Sequence, residues 1–389
     1  MSDWRTVLGA ITDDIEGHFD HLKHGLLARF QPEYPVQILP YMGYGTAQRI
    51  FIKGRVLADK GITRAEENDT VWENLLNMYR RFESDEIPGA RLRAMVAGVE
   101  VELIADDEGY FERAIDLETP LPDHQRWHEV QYQLLEIPNA ETLKEVVRAT
   151  GKVLIPPSDA QFGVISDLDD TVMQTDVLNY LKMARNVFLH NAHTRLPFEG
   201  VAAFYRALQT GTAGTWNPIF YLSKSPWNIY DLLVDFFDVR DIPPGPLLLT
   251  DLGFSDEQFF TPTSRDHKLT HIQNLLETYS HLPFILIGDS GQHDPEVYVE
   301  AAELNPGRIP AIYIRDVTGD LRDSAVRAMI EKAETAGADL LLVEDTAAAQ
   351  VHTLASGFIN AEALPEINSE RAEDKKDPLP VETLLDPGA

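Results

Sequence analysis

Hydrophobic residues recur at helical spacing in the first thirty residues of the chain, at Ile11, Ile15, Phe19, Leu22 and Leu26. This spacing places them on one face of an amphipathic helix. The polar face of that helix mixes acidic and basic residues, which favours packing against a neighbouring domain over attachment to a membrane surface. Residues 1–30 are therefore predicted to form an N-terminal amphipathic helix.

Between residues 31 and 150 the pattern changes to short runs in which apolar and polar residues alternate. The clearest runs are Gln48–Leu57, Arg91–Val96, Val99–Ile104, Tyr110–Asp116 and Val130–Leu135. Alternation with period two, interrupted by Gly, Pro and Asp, is typical of antiparallel strands with one buried face. The segment predicts a small antiparallel β-sandwich domain with a helical insertion near residues 71–81. It contains no cluster of catalytic residue types, so an accessory role in binding or scaffolding is favoured.

From residue 151 to about 360 the strand-like runs become continuously apolar and alternate with helical segments. The runs are Gly163–Ser166, Ile219–Leu222, Phe284–Ile287, Ala311–Ile314 and Leu340–Val343, and two of the helical segments are Asn228–Phe237 and Lys268–Tyr279. Continuously apolar strands between helices indicate an α/β domain with a Rossmann-like parallel sheet covered on both faces. The active site of such a sheet lies beyond the carboxyl ends of its strands. Residues 361–389 combine Pro, Glu, Asp and Lys without apolar periodicity, which predicts a disordered acidic tail.

Composition narrows the function classes. With 63 acidic and 33 basic residues the formal net charge is −30, which disfavours electrostatic attraction to nucleic acids and to anionic membranes. The chain has no cysteine, so disulfides, thiolate metal sites and cysteine nucleophiles are excluded. Its N-terminus is too acidic for a secretory signal, and no apolar run is long enough for a transmembrane helix. These features predict a cytoplasmic protein without a transmembrane segment and without a nucleic-acid partner.

The densest group of chemically active residues follows the strand Gly163–Ser166, in the sequence Asp167-Leu168-Asp169-Asp170-Thr171. Neighbouring carboxylates at the end of a buried strand repel one another unless a cation offsets them, and a hard divalent ion bound by oxygen does so. Asp167 and Asp169 can then divide the work of phosphoryl transfer, one attacking phosphorus and the other protonating the leaving oxygen. The alternative is an acidic loop that caps the next helix.

Three later segments favour the catalytic interpretation. Ser223 and Ser225 follow the strand Ile219–Leu222 and precede a helix, where hydroxyl and N–H groups can bind an anion. Lys268 is predicted to open a helix, where a cation is unfavourable for the helix dipole and suggests a separate role. The strand Phe284–Ile287 runs into Gly288-Asp289-Ser290-Gly291-Gln292-His293-Asp294, which supplies two further carboxylates.

These four segments, in this order, resemble the four signature motifs of the haloacid dehalogenase superfamily. The resemblance implies that Asp167 is the nucleophile and a metal ligand, and that Asp169 is the acid/base and a ligand through its backbone carbonyl. It also implies that Ser223 and Lys268 bind the phosphate and that Asp289 is the third ligand of Mg2+. Asp294 is a further candidate ligand through water, and Ser225 is the alternative hydroxyl.

The amino-acid sequence around the motifs is similar to that of a narrower family, the actin-patch-protein phosphatidate phosphatases and their bacterial relatives. The similar segments are ISDLDDTVMQTDV, YLSKSPWNIYDLLVDFF, HKLTHIQNLLETY, FILIGDSGQHDPEVY and, upstream, PYMGYGTAQRIFIKGRVL. This resemblance covers roughly residues 35–359 and implies Mg2+-dependent hydrolysis of phosphatidate to diacylglycerol and phosphate. It also implies transient contact with a membrane surface, although the chain has neither a proline-rich recruitment region nor a basic membrane-targeting stretch.

Two other functions stay open from sequence. The same chemistry could act on a soluble phosphomonoester or a phosphoprotein, because segments between the motifs, such as residues 176–199, select the substrate. The chain could also be a catalytically silent lipid-binding module, which the presence of both Asp167 and Asp169 disfavours. The natural substrate, the role of the N-terminal β domain, the oligomeric state and regulation are not determined by sequence.

Overall fold

The structure is a computed structural model, and it describes residues 35–58, 86–122, 125–138, 146–168, 172, 200–212, 214–250, 264–290, 293–315, 323–343 and 346–376. The predicted N-terminal helix and the predicted helical insertion near residues 71–81 lie outside the described residues. Among the described residues no helix is both long enough and apolar enough to cross a bilayer.

The first part of the chain forms one eight-stranded sheet, here called the β unit. Its strands are β1 (Val36–Pro40), β2 (Gly43–Gly45), β3 (Arg49–Ala58), β4 (Arg91–Val96), β5 (Val99–Ile104), β6 (Tyr110–Asp116), β7 (Trp127–Glu136) and β8 (Arg148–Leu154). They follow the order β1-β3-β2-β8-β7-β4-β5, and β6 pairs with β3. Within the described residues the paired strands are antiparallel, apart from β2 and β8, which are parallel.

The period-two pattern in the sequence corresponds to alternating burial along these strands. In β7, His128, Val130, Tyr132 and Leu134 face the core, and the residues between them are exposed or half-buried. Because side chains of a strand point alternately to the two faces of a sheet, this pattern buries one face of β7 and leaves the residues of its other face exposed or half-buried. The sheet extends to Leu154, so the β unit ends a few residues beyond the predicted boundary at 150.

The second part of the chain, here called the α/β unit, contains a six-stranded parallel sheet. Its strands are β9 (Gly163–Asp167), β10 (Ile219–Pro226), β11 (Leu247–Thr250), β12 (Phe284–Asp289), β13 (Ala311–Arg315) and β14 (Asp339–Val343). Its helices are α1 (Val201–Thr210), α2 (Tyr230–Val239), α3 (Ser264–Thr278), α4 (Asp294–Leu304), α5 (Asp323–Thr335), α6 (Thr346–Ala355) and α7 (Leu364–Lys376), with 3-10 turns at Trp227–Ile229 and Ala361–Ala363. The prediction of an α/β domain with a parallel sheet is confirmed.

The strand order of this sheet is β11-β10-β9-β12-β13-β14. The chain therefore leaves β9 toward one edge through β10 and β11, and later returns to the other side of β9 as β12. Parallel α/β sheets place their functional crevice at such a switch point, beyond the carboxyl ends of the strands. For this chain the crevice lies where β9, β10 and β12 end.

Two predictions differ from the structure. Helix α3 begins at Ser264, so Lys268 does not open the helix but lies one turn inside it. The unfavourable interaction with the helix dipole is largely confined to the first turn, so that part of the argument for Lys268 is wrong. The residues from Ser264 to His267, which precede Lys268, belong to the same helix.

The prediction of disorder from residue 361 onward is wrong for residues 361–376, which form a 3-10 turn and helix α7. Ile367 is fully buried, and Arg206 of α1 forms ion pairs with Glu366 and Glu370. A proline at the second position, Pro365, suits the start of a helix. Sequence periodicity missed this helix because one apolar anchor and a set of ion pairs to α1 hold it in place.

Candidate active site

Strand β9 carries Asp167 to the carboxyl edge of the parallel sheet. All five residues of β9 are buried, including Asp167. Leu222 of β10 is level with Asp167, and Ile287 of β12 is level with Ser166. Ser223, which follows Leu222, and Asp289, two residues after Ile287, therefore both lie about one residue beyond the level of Asp167 at the same edge. The register of three neighbouring strands brings together residues that are far apart in sequence.

Asp294 reaches this edge from the first turn of helix α4. The backbone N–H of Asp289 donates a hydrogen bond to Asp294 Oδ2 at 3.3 Å. The approach is so close that a Cβ atom on Gly288 would lie 2.5 Å from Asp294 Oδ2 and 2.8 Å from Tyr298 Cε2. Only glycine fits at position 288 without displacing these side chains. Negative charge in the first turn of a helix is also favourable for the helix dipole.

The three buried carboxylates of Asp167, Asp289 and Asp294 form a cluster in which potential ligand atoms lie within 4.8 Å of one another. All are oxygen donors, which suit hard divalent cations such as Mg2+. With these carboxylates ionised and one ammonium among them, the site carries a net charge of minus two. Burying such an excess of negative charge is costly, so the donor set and its charge both fit a divalent metal ion.

Lys268 is the cation of this cluster. Its Nζ lies 2.7 Å from Asp167 Oδ1 and also contacts Asp294 Oδ1, and its side chain is 2% exposed. Burial alone would lower the pKa of Lys268, but the charges of Asp167 and Asp294 and the hydrogen bonds to them raise it above its usual value. Lys268 is therefore a permanent ammonium that bridges two of the carboxylates.

Residues 162–316 match the family described as phosphatidate phosphatase APP1, catalytic domain. The resemblance to the phosphatidate phosphatase family is thereby confirmed for this segment, and its extension to the rest of residues 35–359 stays a prediction. The matched segment begins immediately before β9 and ends just after β13, so it contains the whole carboxylate cluster and Lys268.

Two curated fungal proteins show the same similarity. Phosphatidate phosphatase APP1 of Saccharomyces cerevisiae is 35% identical over 162 residues, which is 41% of this chain and 27% of that protein. An uncharacterized protein of Schizosaccharomyces pombe is 31% identical over 162 residues, which is 40% of this chain and 25% of that protein. The chain thus spans about a quarter of the length of these relatives.

Among solved structures, XAC1771, a carbohydrate acetylesterase from Xanthomonas citri, has 9% sequence identity and a TM-score of 0.27, covering 78% of this chain and 68% of that chain. A TM-score this low does not indicate a shared fold. The similarity to the APP1 catalytic domain therefore stands on sequence.

Ser223, predicted to bind phosphate, is buried at the end of β10. Its Oγ accepts a hydrogen bond from the backbone N–H of Ser225 at 2.9 Å, and the Thr250 hydroxyl donates to its carbonyl oxygen at 3.4 Å. Ser225 is also buried. The structure therefore places both candidate hydroxyls in one segment at the carboxyl edge of the sheet, and the register with β9 puts Ser223 nearer to Asp167.

The predicted acid/base Asp169 lies outside the described residues, as do Asp170, Thr171 and the candidate substrate-selecting segment 176–199. The other predicted site residues, Asp167, Ser223, Lys268 and Asp289, lie at the same edge of the sheet together with Asp294.

The sequence analysis did not single out two tyrosines that form hydrogen bonds with β9 and β12 next to the site. The Ser166 hydroxyl donates to the Asp167 carbonyl oxygen at 2.8 Å, and the Tyr205 hydroxyl, 2.6 Å from Ser166 Oγ, donates to it in turn. Burial raises the pKa of Tyr205 above its usual value, outweighing the hydrogen bond with Ser166, so the phenol stays protonated. On the other side the Tyr298 hydroxyl donates to the Ile287 carbonyl oxygen at 3.1 Å. Tyr298 ends the family-like segment FILIGDSGQHDPEVY but was given no role there, and no motif marked Tyr205, which acts through the Ser166 hydroxyl.

Proposed function

We propose that this chain is a Mg2+-dependent phosphatase of the haloacid dehalogenase type that hydrolyses phosphatidate to diacylglycerol and phosphate. The observation that carries the proposal is that the segment similar to the APP1 catalytic domain contains the buried cluster of Asp167, Asp289 and Asp294 around Lys268. A chain that only bound lipid would have no use for a buried lysine that bridges two carboxylates beside a candidate nucleophile.

In the proposed reaction a carboxylate oxygen of Asp167 attacks phosphorus, and the bond between phosphorus and the leaving alkoxide oxygen breaks. Asp169 gives that oxygen a proton. Water, which loses a proton to Asp169, then attacks phosphorus, so that phosphate leaves and the Asp167 carboxylate is restored.

The remaining residues position and balance charge in this reaction. Lys268, which contacts Asp167, holds that carboxylate in place and supplies positive charge to the phosphoryl oxygens. Ser223 donates a hydrogen bond to them in the proposed reaction, and its position next to Leu222, which pairs with Asp167, supports this role. The residues that would hold Mg2+ are Asp167, Asp289 and the backbone carbonyl of Asp169, with Asp294 beside them. When bound, the ion supplies charge that offsets the carboxylates and the transferring phosphoryl group.

A second candidate is the same chemistry on a soluble phosphomonoester or phosphoprotein. The observation in its favour is the net charge of −30, which repels the anionic surface on which phosphatidate lies. The two candidates share the site and differ only in substrate.

The test is phosphate release from phosphatidate in mixed micelles, from a set of soluble phosphomonoesters and from phosphopeptides, each with Mg2+ and with excess EDTA. Asp167→Asn should lose turnover by about three orders of magnitude or more, because the covalent route disappears. The matched control is Asp116→Asn, an exposed aspartate at the end of β6, which should keep wild-type activity.

Preference for phosphatidate by at least tenfold in kcat/KM supports the lipid substrate, and preference for a soluble ester supports the second candidate. Full activity in EDTA, or more than a tenth of wild-type activity in Asp167→Asn, would contradict the proposed chemistry on any substrate.

A further inference from the structure

The segment that carries Ser223 and Ser225 lies where the pairing of β10 with its neighbours becomes irregular. Among the described residues, the register with β9 ends at Leu222, and the register with β11 shifts between Leu222 and Pro226. Thr250 of β11 contacts this segment through the hydrogen bond from its hydroxyl to the Ser223 carbonyl oxygen. Because the ladder is irregular here, the contacts of the residues that follow also contribute to the position of the segment.

The chain continues into the 3-10 turn Trp227–Ile229, which starts at Pro226 without a side-chain capping hydrogen bond. The end of a helical turn normally needs partners for its backbone groups, and side chains of the turn itself often supply them. Here the side chains of the turn point to a different part of the molecule, the β unit.

Asn228 connects the turn to a buried arginine of the β unit. Its Oδ1 accepts hydrogen bonds from Arg55 Nη1 at 2.9 Å and from the Tyr110 hydroxyl at 3.0 Å. Arg55 also donates from Nε to the Glu108 carbonyl oxygen at 2.8 Å and from Nη2 to Glu86 Oε1 at 2.9 Å. Each of the three guanidinium nitrogens therefore has a partner, and the group lies 4.3 Å from the centre of the Tyr110 ring.

Arg55 is only 3% exposed. A buried guanidinium is costly unless its hydrogen bonds are made, so this residue strongly favours the single arrangement in which Asn228 reaches it. Because the guanidinium is planar and all three of its nitrogens are engaged, it fixes the direction from which Asn228 approaches as well as the distance.

Aromatic packing holds the turn on either side of Asn228. The Tyr41 ring stacks on Trp227, with centroids 4.5 Å apart and an angle of 18° between the planes, and it also packs against Tyr230. The backbone N–H of Met42 donates to the Tyr230 hydroxyl at 2.8 Å, and Lys53 Nζ lies 5.0 Å from the centre of the Trp227 ring. Trp227, Asn228 and Tyr230 are thus all held by residues of the β unit.

We propose that the β unit completes the active site by fixing this turn, with Arg55, Tyr110 and Asn228 as positioning residues for the phosphate-binding segment Ser223–Ser225. None of the three touches the reacting atoms. They act by setting where the chain leaves the segment, just after the point where the register with β11 shifts. The inference rests on the proposed phosphatase function and gives the accessory β unit a role in it.

The test compares two identical substitutions at the same interface. Tyr110→Phe removes a hydroxyl that donates to Asn228, whereas Tyr279→Phe removes a hydroxyl that accepts from the backbone N–H of Gly45 at 3.1 Å. Both remove one hydrogen bond between the β unit and the α/β unit, but only Tyr110 contacts the turn. The full chain is used with Mg2+, and the measurements are KM and kcat for p-nitrophenyl phosphate, the inhibition constant of inorganic phosphate, and the thermal midpoint.

Tyr110→Phe should raise KM and the inhibition constant of phosphate by about three- to tenfold, the effect of one lost hydrogen bond. Tyr279→Phe should leave both constants within about twofold while changing the thermal midpoint by a similar amount. Asn228→Leu should raise both constants by about tenfold to a hundredfold, because both bonds to the turn are lost. Asn228→Asp keeps an acceptor for Arg55 and Tyr110 and should restore most of the affinity.

Equal effects of Tyr110→Phe and Tyr279→Phe on the phosphate inhibition constant would overturn the inference, and this comparison decides even if Asn228→Leu does not fold. So would an Asn228→Leu protein that folds and binds phosphate as the wild type does. In both cases an active wild type leaves the proposed function standing. A wild type that neither releases nor binds phosphate would instead refute the proposed function, and the inference with it.

Discussion

Removing the charge of Lys268 gives the most direct measure of the electrostatics of the site. Lys268→Met keeps a side chain of similar length but leaves the buried carboxylates of Asp167 and Asp294 without their common cation. At an effective dielectric constant near 20, one charge pair at 2.7 Å corresponds to about 6 kcal/mol of gross attraction. Removing the ammonium also removes the free-energy cost of its desolvation, and this offsets part of the lost attraction. We therefore expect a net loss of about 3–5 kcal/mol in the free energy of unfolding, the range measured when one partner of a buried pair is removed.

The assay is urea unfolding followed by far-UV circular dichroism, with EDTA present so that no metal ion compensates for the lost charge. Adding Mg2+ should return part of the lost stability, because a cation in the same cluster offsets the same carboxylates. The variant should also bind Mg2+ more tightly than the wild type, since the competing positive charge is gone. The control is Lys332→Met, an exposed lysine 3.8 Å from Glu303, for which the change should stay below about 1 kcal/mol. A loss below about 1 kcal/mol for Lys268→Met would refute the reasoning.

Three further predictions concern the surroundings of the cluster. Gly288→Ala should destabilise the fold by about 1–3 kcal/mol and reduce Mg2+ affinity, because the new Cβ would displace Asp294. Thermal unfolding measures the stability and metal titration measures the affinity. An unchanged Mg2+ affinity would contradict the prediction. Burial, the neighbouring His267 and Lys53 lower the pKa of His271 to about 4, so the unfolded chain takes up this proton near pH 6.5 while the folded chain does not. The free energy of unfolding should therefore fall by about 3 kcal/mol as pH drops from about 6.5 to about 4. In urea unfolding, the stability of His271→Gln should depend less on pH over this range than that of the wild type. An identical pH dependence would exclude His271 as the cause. Asp169→Asn should lose far more activity on phosphatidate than on p-nitrophenyl phosphate, because the leaving group of the latter needs no proton. On p-nitrophenyl phosphate the variant should release a burst of nitrophenol and accumulate phosphoenzyme. Equal losses on both substrates without trapped phosphoenzyme would assign the acid/base role to another residue.

The sequence by itself determined the local elements and the order of the chemistry. Strands β4, β5 and β6 have the predicted bounds, because alternation with period two is a local consequence of one buried face. Five of the six strands of the parallel sheet were predicted because strands buried on both faces form continuously apolar runs, and the short strand β11 (Leu247–Thr250) was missed. Asp167, Ser223 and Asp289 were selected as site residues because each follows a strand, and Lys268 because its motif lies between theirs in the expected order.

The tertiary structure decided which of these residues meet and what holds them. Asp294 was only a secondary candidate in sequence, yet at the start of α4 it contacts Lys268 and the Asp289 backbone. Helix α7 carries almost no apolar periodicity, and it is placed by Ile367 and by ion pairs to Arg206.

The contacts of Arg55 and Tyr110 with Asn228 join residues more than a hundred positions apart. Periodicity records only which face of an element is buried, not which element covers it. The partner of a buried polar group is set by register and by packing between distant segments, so only the folded chain shows that the β unit reaches the turn that follows Ser223 and Ser225.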